Sequence, residues 1–214
     1  MAGRITALKV QAKNSRRVNV YLDGVFALGL SDVVAATLRV GQQLSDEELT
    51  RLRRQDAAER AYEQALRFLS YRPRSVDEVR RYLTRKQVPA DLCAEAIERL
   101  KSSGFLDDQA FAYFWVENRE SFRPRGGAAL RQELRRKGVA DEVIRTAVES
   151  IDEEDSAYRI ALSRALRLEH ADRDTFRRRL GDFLARRGYS YETVRETVER
   201  LWRERTWRDD AGQE

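Results

Sequence analysis

One cysteine, one histidine, one methionine and three prolines are all that the 214 residues hold of these types. A single cysteine excludes an internal disulfide and points to a reducing compartment, so a cytoplasmic address is expected. The one histidine, His170, lies in a polar connection without a second His or Cys to complete a zinc site. No apolar run is long enough to cross a bilayer, and the opening MAGRITALKV has no signal-peptide block, so no membrane association is expected. The phosphate-cradling loops G-x-x-x-x-G-K-[ST] and G-x-G-x-x-G and the nucleophile elbow G-x-S-x-G do not occur. Catalytic residues, cofactors and metals are therefore expected to be none, and the chain reads as a non-enzyme.

What is present favours helix. Hydrophobic residues make up 42% and charged residues 36%, with 11 glycines. That is too apolar for wholesale disorder and too charged for a membrane span. The net charge is +5 at a pI near 9.5, a mild excess whose placement matters more than its total. Only five of the 41 basic residues are lysine, so arginine, the side chain that forks onto carboxylate or phosphate, dominates.

Residues 4–29 stand apart. RITALKVQ and VNVYLDGVFALGL alternate in the manner of strands, with turns placed at Asn14-Ser15 and Asp23-Gly24. Ser31 and Asp32 predict a short helix through Leu38 that Gly41 would end, and Ser45 with Glu48 forms a capping box that starts another helix. From there the pattern is helical. Residues 71–88, YRPRSVDEVRRYLTRKQV, and 122–139, FRPRGGAALRQELRRKGV, share an aromatic-Arg-Pro-Arg opening and a basic cluster. The apolar stripe Cys93, Ala96, Ile97, Leu100 recurs as Ile144, Ala147, Val148, Ile151 and again as Val194, Thr197, Val198, Leu201. Val79 and Leu83 recur as Leu130 and Leu134, then as Leu180 and Leu184. There are thus three copies, each of three helices, the first at about 57–69, 76–86 and 90–101. Cys93 sits where its counterparts are Ile144 and Val194, the place of a small core residue rather than a nucleophile.

The expected fold class is mainly α: an elongated, curved tandem array of three-helix repeats with a small N-terminal β-hairpin or meander. The expected divisions are 1–56 for the N-terminal segment, 57–108, 109–155 and 156–207 for the repeats, and 208–214 for a disordered tail. A unit of about fifty residues buries little surface alone, and stacking neighbours supplies the missing core.

The acidic runs Asp107-Asp108 and Asp152-Glu153-Glu154-Asp155 fall at joints between repeats, where helix capping explains them. A hydrolase built on them is a distant outsider. The Gly126-Gly127 pair reads as a flexible helix start, ahead of an anion-binding one. The basic residues gather around each middle helix. Arg85, Lys86, Arg136, Lys137, Arg186 and Arg187 close those helices; Arg81, Arg135, Arg177 and Arg178 reinforce them; Arg72, Arg74, Arg123 and Arg125 flank the prolines. Complementing the helix dipole accounts for one pair per helix, leaving the others as a basic track for a periodic anionic partner.

FLSYRPRSVDEVRRYLTRKQV, then GFLDDQAFAYFWVENR, then GGAALRQELRRKGV resemble the RecX family of bacterial recombination regulators. The joint Gly104-Phe105-Leu106-Asp107-Asp108, followed by Phe111, Ala112 and Trp115, is the most specific part, and FLARRGYSYETVRETVERL resembles the family's last repeat. The resemblance implies an all-helical array that binds the RecA recombinase in the helical groove of its filament on single-stranded DNA. It further implies reduced filament growth, ATP hydrolysis and strand exchange, within DNA repair and the SOS response, and no catalytic residues. A monomer is expected. The alternative is a stand-alone DNA-binding module that meets single- or double-stranded DNA through the basic track. Gln87 departs from the pattern, standing where the other copies have Gly138 and Gly188.

Overall fold

The computed structural model describes residues 2–211, with side chains through residue 205. It opens with three antiparallel strands, β1 (Gly3–Gln11), β2 (Asn14–Leu22) and β3 (Val25–Ser31). The first turn lies at Ala12-Lys13, two residues before the expected Asn14-Ser15, which instead begin β2. Asp23 and Gly24 form the second turn as expected, both at positive φ (48° and 87°), the backbone of a two-residue type I′ hairpin. Helix α1 spans only Asp32–Ala35, not through Leu38. Ser31 caps it, but Thr37 and Leu38 then donate to carbonyls three residues back, tightening the chain into a turn. A short strand absent from the sequence reading, β4 (Gln43–Leu44), pairs with Gly3 and Arg4, giving the sheet order β3-β2-β1-β4.

The capping box at Ser45 starts α2, which runs unbroken over Asp46–Leu69. The expected boundary at residues 56 and 57 therefore lies inside a helix. No Gly or Pro interrupts these 24 residues, so nothing in the chain could stop the helix there. The remaining helices are α3 (Val76–Arg85), α4 (Ala90–Ser102), α5 (Asp108–Phe122), α6 (Gly127–Arg136), α7 (Asp141–Glu149), α8 (Glu153–Leu166), α9 (Arg173–Ala185) and α10 (Tyr191–Ala211). They make the three expected repeats: α2–α4, α5–α7 and α8–α10. Of the expected tail, residues 208–211 continue α10, and 212–214 lie outside the described residues.

Met1–Arg74 with Glu78–Leu106 forms one compact unit; Ser75–Asp77 with Asp107–Glu214 forms the other. In the first unit Ile5, Val20, Leu22, Leu28 and Leu30 from the sheet pack on Leu49 and Leu52 of α2. Val79, Leu83, Ala96, Ile97 and Leu100 are buried in its repeat, with Cys93 among them. Burial pushes the Cys93 thiol up, which suits an inert core group. In the second unit Leu130, Leu134, Ile144 and Ala147 centre one cluster, and Phe176, Leu180, Leu184, Val198 and Leu201 the other. The expected apolar stripes are thus the cores of all three repeats.

One buried charge joins the sheet to α2. Asp56 is 4% exposed, and its carboxylate accepts from the Ser31 amide at 2.7 Å and from the Arg17 guanidinium at 2.6 Å, with Arg60 at 3.2 Å. Arg17 also donates to the Gly29 carbonyl at 2.7 Å. Removing one partner of a buried pair strands the other, at a cost of about 3–5 kcal/mol. Asp56→Ala is therefore expected to lower stability by about 3 kcal/mol in urea denaturation, whereas Asp46→Ala on exposed α2 surface should cost far less.

Candidate partner-binding surface

The turns that close the middle helices set the geometry. Gln87, Gly138 and Gly188 occupy equivalent positions and share a left-handed backbone, at φ of 59°, 76° and 85°. In the second unit these turns serve as joints. The Gly188 turn lies against the start of α6, where an added Cβ would come 2.5 Å from the Ala129 side chain and 2.7 Å from its backbone nitrogen. A Cβ added at Gly138 would likewise clash with the Asp77 side chain. The hydrogen bonds repeat as well: the Ser75 hydroxyl donates to the Lys137 carbonyl, and the Gly126 amide donates to the Arg187 carbonyl. Gln87 belongs to the first repeat, which has no preceding repeat to dock on, so a side chain is tolerated there.

These joints account for other sequence features. Gly126 is not a flexible helix start but a packed one, since a Cβ would lie 2.2 Å from the Gly188 carbonyl oxygen. Its amide goes to Arg187, and that of Gly127 to the Glu153 carboxylate at 3.4 Å, so neither awaits an anion. Asp107 caps α5 while Asp108 accepts from the Val76 amide at 2.8 Å, which explains the doubled aspartate. Asp152 caps α8. Among the described residues no cluster of His, Cys, Asp and Glu could hold a metal, and no helix is long and apolar enough to cross a membrane.

Many of the fourteen cations of the expected track have local duties. Arg72 forks onto Glu78 at 2.8 and 3.3 Å. Arg74 lies 4.0 Å over Phe68, which in turn stacks on Tyr82 at 4.2 Å and 3°. Arg125 approaches Glu133 at 4.0 Å, Arg135 pairs with Asp141 at 2.6 Å, and Arg177 with Glu199 at 3.2 Å. Lys137 sits 3.9 Å over Trp115, and Arg187 lies 4.7 Å from the Phe183 ring while donating to the Pro124 carbonyl. Lys86 lies 5.9 Å from the Tyr82 ring, and Arg81, Arg85, Lys86, Arg123, Arg136, Arg178 and Arg186 are all exposed. Three of these, Arg85, Arg136 and Arg186, occupy one position in all three repeats. Neither Arg85 nor Arg186 has a side-chain hydrogen bond or ion pair among the described residues.

Exposed aromatics were not legible as such. Tyr71 and Phe122, the first residues of the two aromatic-Arg-Pro-Arg motifs, are each 77% exposed. Their recurrence therefore owes nothing to the core. In the Gly104–Asp108 joint Phe105 is 56% exposed while Leu106 is buried, so only the leucine packs. The Trp115 indole donates to Glu133 at 2.8 Å, and that carboxylate also receives Arg119 at 2.8 Å. Arg119 and Glu133 are the counterparts of Phe68 and Tyr82. The same helix-to-helix contact is thus a ring stack in the first repeat and an ion pair in the second. On the N-terminal hairpin Phe26 is exposed and meets Tyr21 edge-on at 6.1 Å.

Sequence comparison matches the regulatory protein RecX N-terminal domain at residues 3–45, and the first, second and third RecX three-helix domains at 61–100, 107–148 and 152–198. Regulatory protein RecX of Bacillus subtilis strain 168 is 32% identical over 203 residues, covering 92% of this chain and 76% of that protein. Its counterpart in Bacillus pumilus is 29% identical over 204 residues, covering 92% and 77%. A crystal structure of regulatory protein RecX superposes with a TM-score of 0.77 at 24% identity, covering 93% of this chain and 99% of that one. RecX from Lactobacillus salivarius gives 0.64 at 22% identity over 68% and 97%. At those identities the structures speak to the fold alone. The family models cover most of the chain and the Bacillus subtilis relative three quarters of its own length, and on that ground the chain belongs to the RecX family of regulatory proteins.

Proposed function

We propose that the chain is a non-enzymatic modulator that binds the RecA recombinase filament on single-stranded DNA, along its helical groove, and slows its ATP hydrolysis and growth. The observation that carries this reading is the exposed arginine recurring at Arg85, Arg136 and Arg186 in a member of the RecX family. A side chain repeated three times without a place in any core has a surface role. Each contact need only be weak, because once one repeat is bound the next two engage at high effective concentration. The opposed partner surface is acidic protein or DNA phosphate.

A second reading, direct DNA binding without the recombinase, draws support from the exposed Tyr71 and Phe122, each followed by an arginine. Aromatic and guanidinium groups together form the stacking and charge pair that single strands favour. Fluorescence anisotropy of a labelled oligonucleotide, bare or coated with RecA, separates the two. The proposal requires binding to the coated strand well in excess of binding to the bare one. Equal binding to the bare strand, falling steeply with log salt concentration, favours the second reading.

A further inference from the structure

The N-terminal sheet packs one face on α2 and carries an aromatic, basic patch on the other. Along β2, Val18, Val20 and Leu22 turn to the core, so Asn19 and Tyr21 turn away from it. The register sets Ala7, Tyr21 and Phe26 in one row across the strands, and Lys9, Asn19 and Gly29 in the next. Side-chain contacts agree with that shared face. Tyr21 meets Phe26 edge-on, the Lys9 ammonium lies 5.1 Å from the Tyr21 ring, and the Gln11 amide donates to Asn19 at 2.7 Å. Phe26 is 55% exposed, Lys9 is exposed and Tyr21 is half-buried.

Charge on this segment has one sign. Through Ser31 the chain holds the cations Arg4, Lys9, Lys13, Arg16 and Arg17 against a single acid, Asp23. Asp23 accepts from the Arg4 amide at 3.2 Å, at the end of β2 away from the Ala12-Lys13 turn. Two of the cations serve the fold: the Arg4 guanidinium donates to the Gly41 carbonyl at 3.0 Å, and Arg17 pairs with Asp56. Lys9, Lys13 and Arg16 stay exposed along the β1–β2 hairpin, with no ion pair among the described residues.

We propose that this face of the sheet binds single-stranded nucleic acid, with a base stacked on Phe26 beside Tyr21 and the strand's phosphates on Lys9, Lys13 and Arg16. Every base offers a π-face to the ring and every nucleotide a phosphate to a cation, so the site tolerates any sequence. An acidic peptide would satisfy the cations and leave the aromatic pair unused. A duplex keeps its bases stacked inside and leaves it unused as well. The inference does not rest on the proposed function. The sheet lies outside the repeats that carry Arg85, Arg136 and Arg186, and it excludes the Tyr71 and Phe122 of the second reading.

The test is fluorescence anisotropy of a labelled dT15 oligonucleotide titrated with the full chain. Phe26→Ala is expected to weaken binding by about tenfold. Phe26→Trp should keep the affinity, and its added indole emission should be quenched as the strand binds. Replacing Lys9 and Lys13 together by Gln should flatten the slope of log K against log salt by about 1.4, at about 0.7 per phosphate contact on a single strand. All three positions are exposed, and the Trp and Gln variants carry the test even if Phe26→Ala folds poorly. No binding of dT15, a Phe26→Ala variant that is folded and binds like wild type, or a loss confined to Tyr71→Ala and Phe122→Ala overturns the proposal. Displacement of dT15 by poly-glutamate at equal charge concentration also overturns it, in favour of an acidic protein. Recombinase ATPase inhibition is a separate readout: a wild-type chain without it still binds dT15 through Phe26 if the sheet site holds.

Discussion

Reversing Arg85, Arg136 and Arg186 together to Glu is expected to weaken binding to the recombinase filament by a few hundredfold and abolish inhibition of its ATPase. An exposed charge pair contributes about 0.2–1 kcal/mol, and reversal replaces attraction by repulsion of similar size, so three sites sum to about 3–4 kcal/mol. Single reversals should cost less than about tenfold each, because the two remaining repeats still hold the array in place. All three side chains are exposed, so far-UV circular dichroism should be unchanged. Arg177→Glu is the natural control, since Arg177 is engaged by Glu199 at 3.2 Å on its own repeat. If the triple variant inhibits like wild type, the repeated arginine has no part in the contact.

The largest effect on stability is expected at Gly188. Replacing it with Ala is expected to cost about 3–4 kcal/mol, as two penalties coincide. A Cβ at φ of 85° costs about 1–2 kcal/mol, and overpacking adds about 1–3 more. The clash is hard to relieve because the Ala129 backbone nitrogen, not just a movable side chain, lies 2.7 Å away. The chain supplies its own control. Gln87 holds the same left-handed conformation with a Cβ already in place, so Gln87→Ala should change stability by less than about 0.5 kcal/mol. Gln87→Gly should instead stabilise by up to about 1 kcal/mol, as strain relief outweighs the added chain entropy. Urea titrations followed by circular dichroism read all three. Equal effects of Ala at 87 and 188 would remove the joint as the reason for the glycine.

The sequence made the cores legible because their signal is local and periodic. The stripe through Cys93, Ala96, Ile97 and Leu100, with its two later copies, is one helix face written three times. The capping signals at Ser45, Asp107 and Asp152 were readable for the same reason, since each acts within three residues. What escaped was set by partners far along the chain. Gly126 is explained only by the Gly188 backbone, 62 residues on, and Gly188 by Ala129. The strand at Gln43–Leu44 exists because Gly3 and Arg4 lie beside it. The exposure of the aromatic that opens the repeated Arg-Pro-Arg motif is likewise set by the fold and not by its neighbours in sequence.

The basic track is a proposal about which side chains meet a partner. Its membership came from composition along the middle helices, which cannot separate a guanidinium forked onto Glu78 from one facing solvent. The structure adds that one of these positions, Arg85, Arg136 and Arg186, is exposed in all three repeats.

Hydrolysis of ATP by RecA on single-stranded DNA, measured with rising amounts of this protein, bears most directly on the central proposal. A filament-binding modulator should slow steady-state hydrolysis at less than one copy per recombinase subunit, and the Arg85, Arg136, Arg186 triple reversal should restore the uninhibited rate. A rate that stays unchanged with the wild-type chain in molar excess, on filaments assembled before or after its addition, would contradict it.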